Sequence, residues 1–270
     1  MDAENIHSHW EGWAKEHGTS VRATTMNETA KQLEIAALAR QLDKVVPPSL
    51  LRGLDILEMG CGNGLNIVEL AKCLPEATFT GVDYVYDMIL AARENAEAAG
   101  ISSRTHFVHA DIFDFTNRYE SDFDVVITDR CLINLNEVEL QKRAIAILAS
   151  KVRPGGWLLM IENCRQRRDL QNKLRVRLGM KPRPPAPFNL FFDEDKVFTH
   201  IYEAKLHLVD WVHFGGLHDL VLYVLVPALN EGVVVYDHPL VKIATELSLK
   251  SPDINFGTFG QNTLFVCRKP

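Results

Sequence analysis

Five short apolar-rich runs, at 54–59, 77–82, 105–109, 123–128 and 156–162, alternate along the chain with longer stretches in which apolar residues recur at helical spacing. Short buried runs alternating with amphipathic helices predict a mostly parallel sheet covered by helices on both faces. Ahead of the first run, NETAKQLEIAALARQLD at 27–43 places Leu33, Ala36, Ala37, Leu38, Ala39 and Leu42 near helical spacing, with Asn27 or Thr29 as a cap and Pro47 and Pro48 as the stop. Residues 1–25 are polar, with Trp10, Trp13 and Val21 as anchors. Beyond Cys164 the pattern changes: PRPPAPFNLFFDED at 182–195 reads as a loop packed over something, followed by a helix from about Asp193 to Leu206. HLVDWVHF at 207–214 and NTLFVCRK at 262–269 read as two further strands, and 217–229 and 239–249 between them are helix-like.

The most informative stretch is LDILEMGCGNGLNIVELAKC at 54–73. A buried strand ends at Met59, three glycines (Gly60, Gly62, Gly64) break it, and a helix begins at Leu65. Such a turn lets a ligand approach bare backbone beside the positive end of a helix. The next strand ends in Asp83, 19 residues beyond Gly64, where a carboxylate can accept the hydroxyls of a ribose. A dinucleotide site needs G-x-G-x-x-G; this turn reads G-C-G-N-G, with Glu58 just before it. A carboxylate there would repel a pyrophosphate and suits a ligand with an ammonium or sulfonium centre.

At these residues the chain resembles the class I S-adenosylmethionine (SAM) dependent methyltransferases, whose first motif is E/D-x-G-x-G-x-G and is matched by Glu58, Gly60, Gly62 and Gly64. HADIFDF at 109–115, FDVVITDR at 123–130 and VRPGGWLLMIEN at 152–163 continue the resemblance in order over roughly residues 50–163 and the last strand. It implies a doubly wound α/β fold with a seven-stranded sheet in the order 3-2-1-4-5-7-6, the last strand antiparallel. An N-terminal helical lid at 1–50 would precede a core at 51–270 that carries insertions at 164–205 and 215–258. The implied cofactor is SAM, with S-adenosylhomocysteine as product. The implied cofactor residues are Glu58, Gly60, Cys61, Gly62, Asn63, Gly64, Asp83, Tyr84, Met88, Asp111, Ile112, Phe113 and Asp129, with Trp13 and Arg22 from the lid. In that scheme Asp83 binds the ribose and Asp111 the adenine amino group between Ile112 and Phe113, although Asp114 stands close enough in sequence to exchange roles. Arg22 and Thr24 would reach the methionine carboxylate.

Composition narrows the partners. A chain of 270 residues that is 47% hydrophobic can bury one large α/β core. A net charge of −6 lacks the broad basic face of a nucleic-acid binder. Against that average, Arg165, Arg167, Arg168, Lys173, Arg175, Arg177, Lys181 and Arg183 cluster locally, either as a solvated helix face or as a docking surface for an anionic acceptor. The five cysteines have no paired spacing, which suits a reducing cytoplasm and neither a disulfide framework nor a zinc site. The N-terminus lacks the pattern of a secretory signal and no apolar run reaches membrane-spanning length, so a cytoplasmic protein without metal is expected.

A sulfonium is already an activated methyl donor, so the protein has to hold a nucleophile in line and exclude water. A hydroxyl acceptor would profit from a base. Among strand-end residues, His213 is the first choice, with His218 beyond it and Asp129 as an acceptor-orienting residue or a partner of Arg130. The expected activity is methylation of an oxygen or nitrogen of a small metabolite, a sugar or secondary metabolite by analogy. RNA or protein methylation and a non-catalytic SAM-binding subunit are the alternatives. The insertion before the last strand would shape the acceptor pocket or pair two subunits as a homodimer.

Overall fold

The computed structural model describes residues 2–46, 53–118, 122–253 and 256–270. Helix α1 (Ala3–His17) begins where the Asp2 side chain accepts the Asn5 N–H, and α2 (Glu28–Val45) where Asn27 accepts that of Ala30. At the C-terminus of α2 the Val46 N–H donates to Leu42 O; Pro47 and Pro48, the expected stop, lie outside the described residues. There follow β1 (Asp55–Met59), α3 (Leu65–Cys73), β2 (Thr78–Asp83), α4 (Tyr86–Ala98), β3 (Thr105–His109), α5 (Ile112–Arg118), β4 (Phe123–Asp129), α6 (Val138–Lys151) and β5 (Val152–Asn163). The C-terminal part adds α7 (Arg165–Arg177), α8 (Glu194–Glu203), β6 (His207–His213), α9 (Gly216–Leu220), α10 (Val226–Leu229), α11 (Pro239–Lys250) and β7 (Asn262–Arg268), with a π-turn at Val221–Leu225 joining α9 to α10.

The seven strands hydrogen-bond in the order β3-β2-β1-β4-β5-β7-β6. All neighbours run parallel except β7, which is antiparallel to both β5 and β6. Each face of the sheet has its own core. On one, Ile56, Phe79, Val125 and Leu159 pack against Leu38, Leu42, Ile67 and Ile89 of α2, α3 and α4. On the other, Leu57, Val126, Leu158 and Phe265 pack against Phe115, Ile145, Leu148 and Val197 of α5, α6 and α8. Alternate residues of a strand point to opposite faces, so Ile56 and Leu57, or Val125 and Val126, divide between the two cores. Truncating a fully buried anchor such as Phe79 or Phe265 to Ala removes about 3–5 kcal/mol.

The topology places the site. The chain leaves β1 toward β2 on one side and enters β4 on the other, and in doubly wound sheets a crevice opens outside the carboxyl ends of the strands where the order reverses. Helix α1, the Val21–Ala23 turn and the start of α2 cover that end of the sheet, joined by the loop between α7 and α8. The 215–258 insertion forms a small core of its own, with Leu222, Tyr223 and Val226 against Val241 and Ala244. Among the described residues no helix is long and apolar enough to cross a membrane.

Candidate active site

The glycine turn closes over the neighbouring strand: the N–H groups of Gly60 and Cys61 both donate to Val82 O, at 2.8 and 3.0 Å. Gly60, Gly62 and Gly64 all have positive φ, and two of them also lack room for a side chain. A Cβ on Gly60 would stand 2.3 Å from Cys131 Sγ, and one on Gly62 2.6 Å from Thr24 Cγ2. The turn is therefore pressed between the β4 exit and the lid. Asp83 at the tip of β2 fixes it from the other side: Oδ2 accepts the Gly62 N–H at 2.8 Å and Oδ1 the Val85 N–H at 2.9 Å. One bond per oxygen leaves lone pairs for ligand hydroxyls.

The lid is tied to the turn by amides. Asn63 Nδ2 donates to Gly18 O and Ser20 O, and Asn95 Nδ2 to Thr19 O and Asn63 O. Aromatic contacts close the outer side: Phe188, from the loop between α7 and α8, stacks on His9 with ring centroids 4.2 Å apart and meets Trp10 edge-on. Beneath this cover lies a cavity of about 580 Å³, within the size range of small-molecule and cofactor pockets.

Its floor is a buried charged network. Lys31 Nζ lies 2.6 Å from Asp129 Oδ2 and 3.1 Å from Glu34 Oε2, and Arg130 Nε lies 2.8 Å from Glu34 Oε1. Asn66 Nδ2 donates to Glu58 Oε1 at 2.6 Å and to Asp129 Oδ2 at 3.0 Å. Burial alone would lower the Lys31 pKa, but Asp129 and Glu34 outweigh it and hold the ammonium above the ordinary lysine range. Burial alone would raise Asp129; Lys31 and Arg130 keep it below its ordinary value. Glu58 has no cation at ion-pair distance among the described residues, and burial pushes it up to about 8 despite the bond from Asn66. Arg130 turns the chain out of β4 with φ +54°, held by its N–H on Ile161 O at 2.7 Å. Glu162, on β5, braces that exit by accepting from Thr128 Oγ1 and the Leu132 and Ile133 N–H groups, and burial raises it to about 8.

Of the residues singled out from the sequence, Glu58, Gly60, Cys61, Gly62, Asn63, Asp83, Tyr84, Met88, Asp111, Ile112, Phe113, Asp129 and Trp13 all line the cavity. Gly64 stands behind them as the left-handed cap of α3. Asp111 also caps α5 by accepting the Phe113 N–H at 2.7 Å, whereas Asp114 is exposed. Three more of the residues singled out lie outside the cavity lining. Arg22 does not line the cavity; it is more than half exposed and pairs with Glu28 at 3.4 Å. His213 does not line it either, because β6 is the outer strand of the sheet, far from the β1–β4 reversal, and its ring faces Thr263 of β7 at 3.4 Å. His218 is fully buried between Thr29 Oγ1 and Asp219 Oδ1, each at 2.9 Å, and braces α2 against the insertion. Asp129 pairs chiefly with Lys31 and stands 3.8 Å from Arg130.

Sequence reasoning missed Lys31, Asn66 and Phe188. Lys31, Glu34, Leu38 and Gln41 fall at i, i+3, i+7 and i+10 of α2 and are all buried. A charged row in register with a core leucine was the available signal.

The cavity's chemistry suits a cationic ligand. Glu58 Oε2 and Asp129 Oδ1 are buried without a hydrogen-bond partner, an arrangement that costs free energy until a donor arrives. Residues 50–205 match the family described as "Methyltransferase domain". The chain is similar to a bifunctional methyltransferase of Rickettsia bellii, 26% identical over 61% of this chain and 30% of that one. It is also similar to the tRNA 5-carboxymethoxyuridine methyltransferase of Escherichia coli, 28% identical over 49% of each. It thus spans about a quarter to a half of the length of the curated relatives it matches. Magnesium protoporphyrin IX methyltransferase from Synechocystis, solved with bound S-adenosylhomocysteine, superposes over 100% of both chains with a TM-score of 0.64 at 13% identity, a likeness of fold. With the matched stretch covering more than half of its length, the chain belongs to the methyltransferase domain family, and S-adenosylmethionine is the cofactor of that domain.

Proposed function

We propose that the protein transfers a methyl group from SAM to an oxygen or nitrogen of a small metabolite. The observation that carries this reading is the ring of buried carboxylates, Glu58, Asp83 and Asp129, at the ends of three adjacent strands around one covered cavity, two of them with oxygens lacking a donor. Glu58 and Asp129 would take the ammonium of the cofactor, Asp83 its ribose, and Asp111 the adenine amino group beside Ile112 and Phe113. Lys31, which donates to Asp129 Oδ2 and lies 3.1 Å from Glu34, has N–H groups left for the methionine carboxylate, whereas Arg22 does not line the cavity.

The sulfonium supplies the activated methyl group, and what remains for the chain is positioning. Trp10, Trp13 and Phe188, packed edge to face, would shield the cavity from above, while the cross-bracing of Lys31, Asp129 and Asn66 fixes the floor. Asp129, held ionised by Lys31, serves as an acceptor and orienting group. A covered cavity of this size favours a metabolite that can be enclosed over a base in a polynucleotide. The test is transfer of labelled methyl from SAM into a fractionated extract of the organism that encodes the chain. Label in the low-molecular-weight fraction supports the reading, and label confined to RNA or protein overturns it.

A further inference from the structure

A second, smaller cavity of about 170 Å³ adjoins the first. Thr25, Met26, Arg130, Asn189 and Tyr236 line both, so the two cavities meet at these side chains. Three arginines, Arg130, Arg168 and Arg183, line the annex, and its single carboxylate, Glu34, is already engaged by Lys31, Arg130 and Asn262.

The arginines of the basic segment divide sharply by what they do. Arg167 grips Glu194 with two bonds of 2.7 and 2.6 Å, Arg165 pairs with Asp193 at 2.7 Å, and Arg175 donates to the carbonyls of Lys181, Tyr223 and Gly232. These three are structural staples. Arg168 and Arg183 are different. The Arg168 guanidinium lies over the Phe191 ring at 4.7 Å; its Nε and Nη1 are buried with no hydrogen-bond partner, and its only carboxylate contact among the described residues is Asp169 at 3.9 Å from Nη2. Arg183 lies 3.6 Å over the Tyr223 ring, donates to Gln261 and, at 3.5 Å, to Gln171, and has no carboxylate partner among the described residues. An aromatic ring covering the face of a guanidinium leaves its edge, where the N–H groups point, as the surface available to a ligand. Two such edges beside a small polar cavity match the forked geometry that binds a carboxylate or phosphate. Buried arginine donors without partners are costly, and an arriving anion would relieve that cost. The net charge of the whole chain is −6, so attraction for an anion here is local to the annex.

We propose that the annex binds a carboxylate or phosphate group of the methyl acceptor through Arg168 and Arg183, seating the acceptor's nucleophile in the main cavity. This rests on the reading of that cavity as the site of methyl transfer. The acceptor is then an acidic metabolite, and Arg168 and Arg183 determine specificity without touching the transferred methyl.

The test is titration of inorganic phosphate, of benzoate and of its neutral counterpart benzamide into the full-length protein and its Arg168→Gln and Arg183→Gln variants, followed by calorimetry or ligand-detected NMR. At least one anion should bind the unaltered protein, weaken by about tenfold or more in each variant, and resist competition by benzamide. Phosphate alone would identify a phosphorylated acceptor, and benzoate alone a carboxylic one. Failure of both anions to bind, equal binding to all three proteins, or equal binding of benzamide would overturn the proposal. Arg168→Lys, which keeps the charge and loses the fork, should fall between the unaltered protein and Arg168→Gln. Titrating SAM into the same samples separates the two readings: SAM affinity should be unchanged by the arginine substitutions. Loss of SAM binding in the unaltered protein would refute the transfer reading while leaving the anion result legible.

Discussion

Glu58 makes the affinity for SAM depend on pH in a way that can be calculated. Its carboxyl is buried at the end of β1 and pushed up to about 8, so at neutral pH it is mostly protonated in the ligand-free protein. An ammonium group placed against it favours the ionised form. Binding therefore expels a proton, and each pH unit below 8 costs about 1.4 kcal/mol, a factor of ten in affinity. Since half of the Glu58 carboxyls are already protonated at pH 8, the dissociation constant for SAM should rise by about fiftyfold from pH 8 down to pH 6. Glu58→Gln keeps the size of the side chain and removes the titration. Its profile over the same range should be flat, with affinity at pH 8.5 lower by roughly 1.5–3 kcal/mol for the lost charge-assisted bond. The same shift acts on the ligand-free fold with a definite sign. Because the folded value exceeds the ordinary 4.5, the contribution is fully present below 4.5 and is lost as pH rises toward 8, so Glu58→Gln should become relatively more stable across that window. The assay is calorimetric titration of SAM at five pH values in two buffers of different ionisation enthalpy, which counts the proton directly. A pH-independent affinity, or no proton released on binding, would refute the reasoning.

Three further outcomes follow from the same geometry. Lys31→Met leaves Asp129 buried with only Asn66 at hydrogen-bond distance, so it should cost about 3 kcal/mol and lower the melting temperature by about 6–12 °C, with part of the loss recovered in Lys31→Met/Asp129→Asn; a drop under about 2 °C would count against the network. Gly62→Ala places a Cβ 2.6 Å from Thr24 Cγ2 at φ +52°, so it should lower thermal stability by at least about 1 kcal/mol and weaken SAM binding, and normal affinity would show that the turn does not touch the ligand. His213→Ala should retain methyl-transfer activity within about threefold, since the ring packs on Thr263 outside the cavity; a loss of more than about a hundredfold, the scale of a general base, would restore it as one.

Much of the site could be read from the chain because a strand tip followed by a glycine turn leaves few places for its side chains. Glu58, Asp83 and Asp129 each close or nearly close a parallel strand, so predicting the strands was enough to bring their carboxylates together. The same rule failed for His213, which also ends a strand but belongs to β6, where the sheet stops. Position along a strand is local information, whereas position of the strand within the sheet is not. Lys31 and Glu34 were hidden for a related reason: charged residues on an amphipathic helix ordinarily face water, and here α2 lies across the strand ends and buries them. Strand β5 starts at Val152, ahead of the expected 156, because Val152 pairs with Phe123 before an irregularity that carries Pro154 and Gly155, and the ladder resumes at Trp157 opposite Val125. The basic segment read as either a solvated face or a docking surface. Its arginines instead divide between internal ion pairs, backbone carbonyls and the annex, a division set by Asp193, Glu194 and the 215–258 insertion, which are distant in sequence.

The central claim is that the covered cavity holds SAM with Asp83 on its ribose, and calorimetric titration of SAM into the unaltered protein and its Asp83→Ala variant tests it most directly. The account predicts one SAM per chain and a loss of roughly 1.5–3 kcal/mol in the variant, the scale of a hydrogen bond to a charged group. Absence of SAM binding to the unaltered protein, or equal affinity in the two, would contradict it.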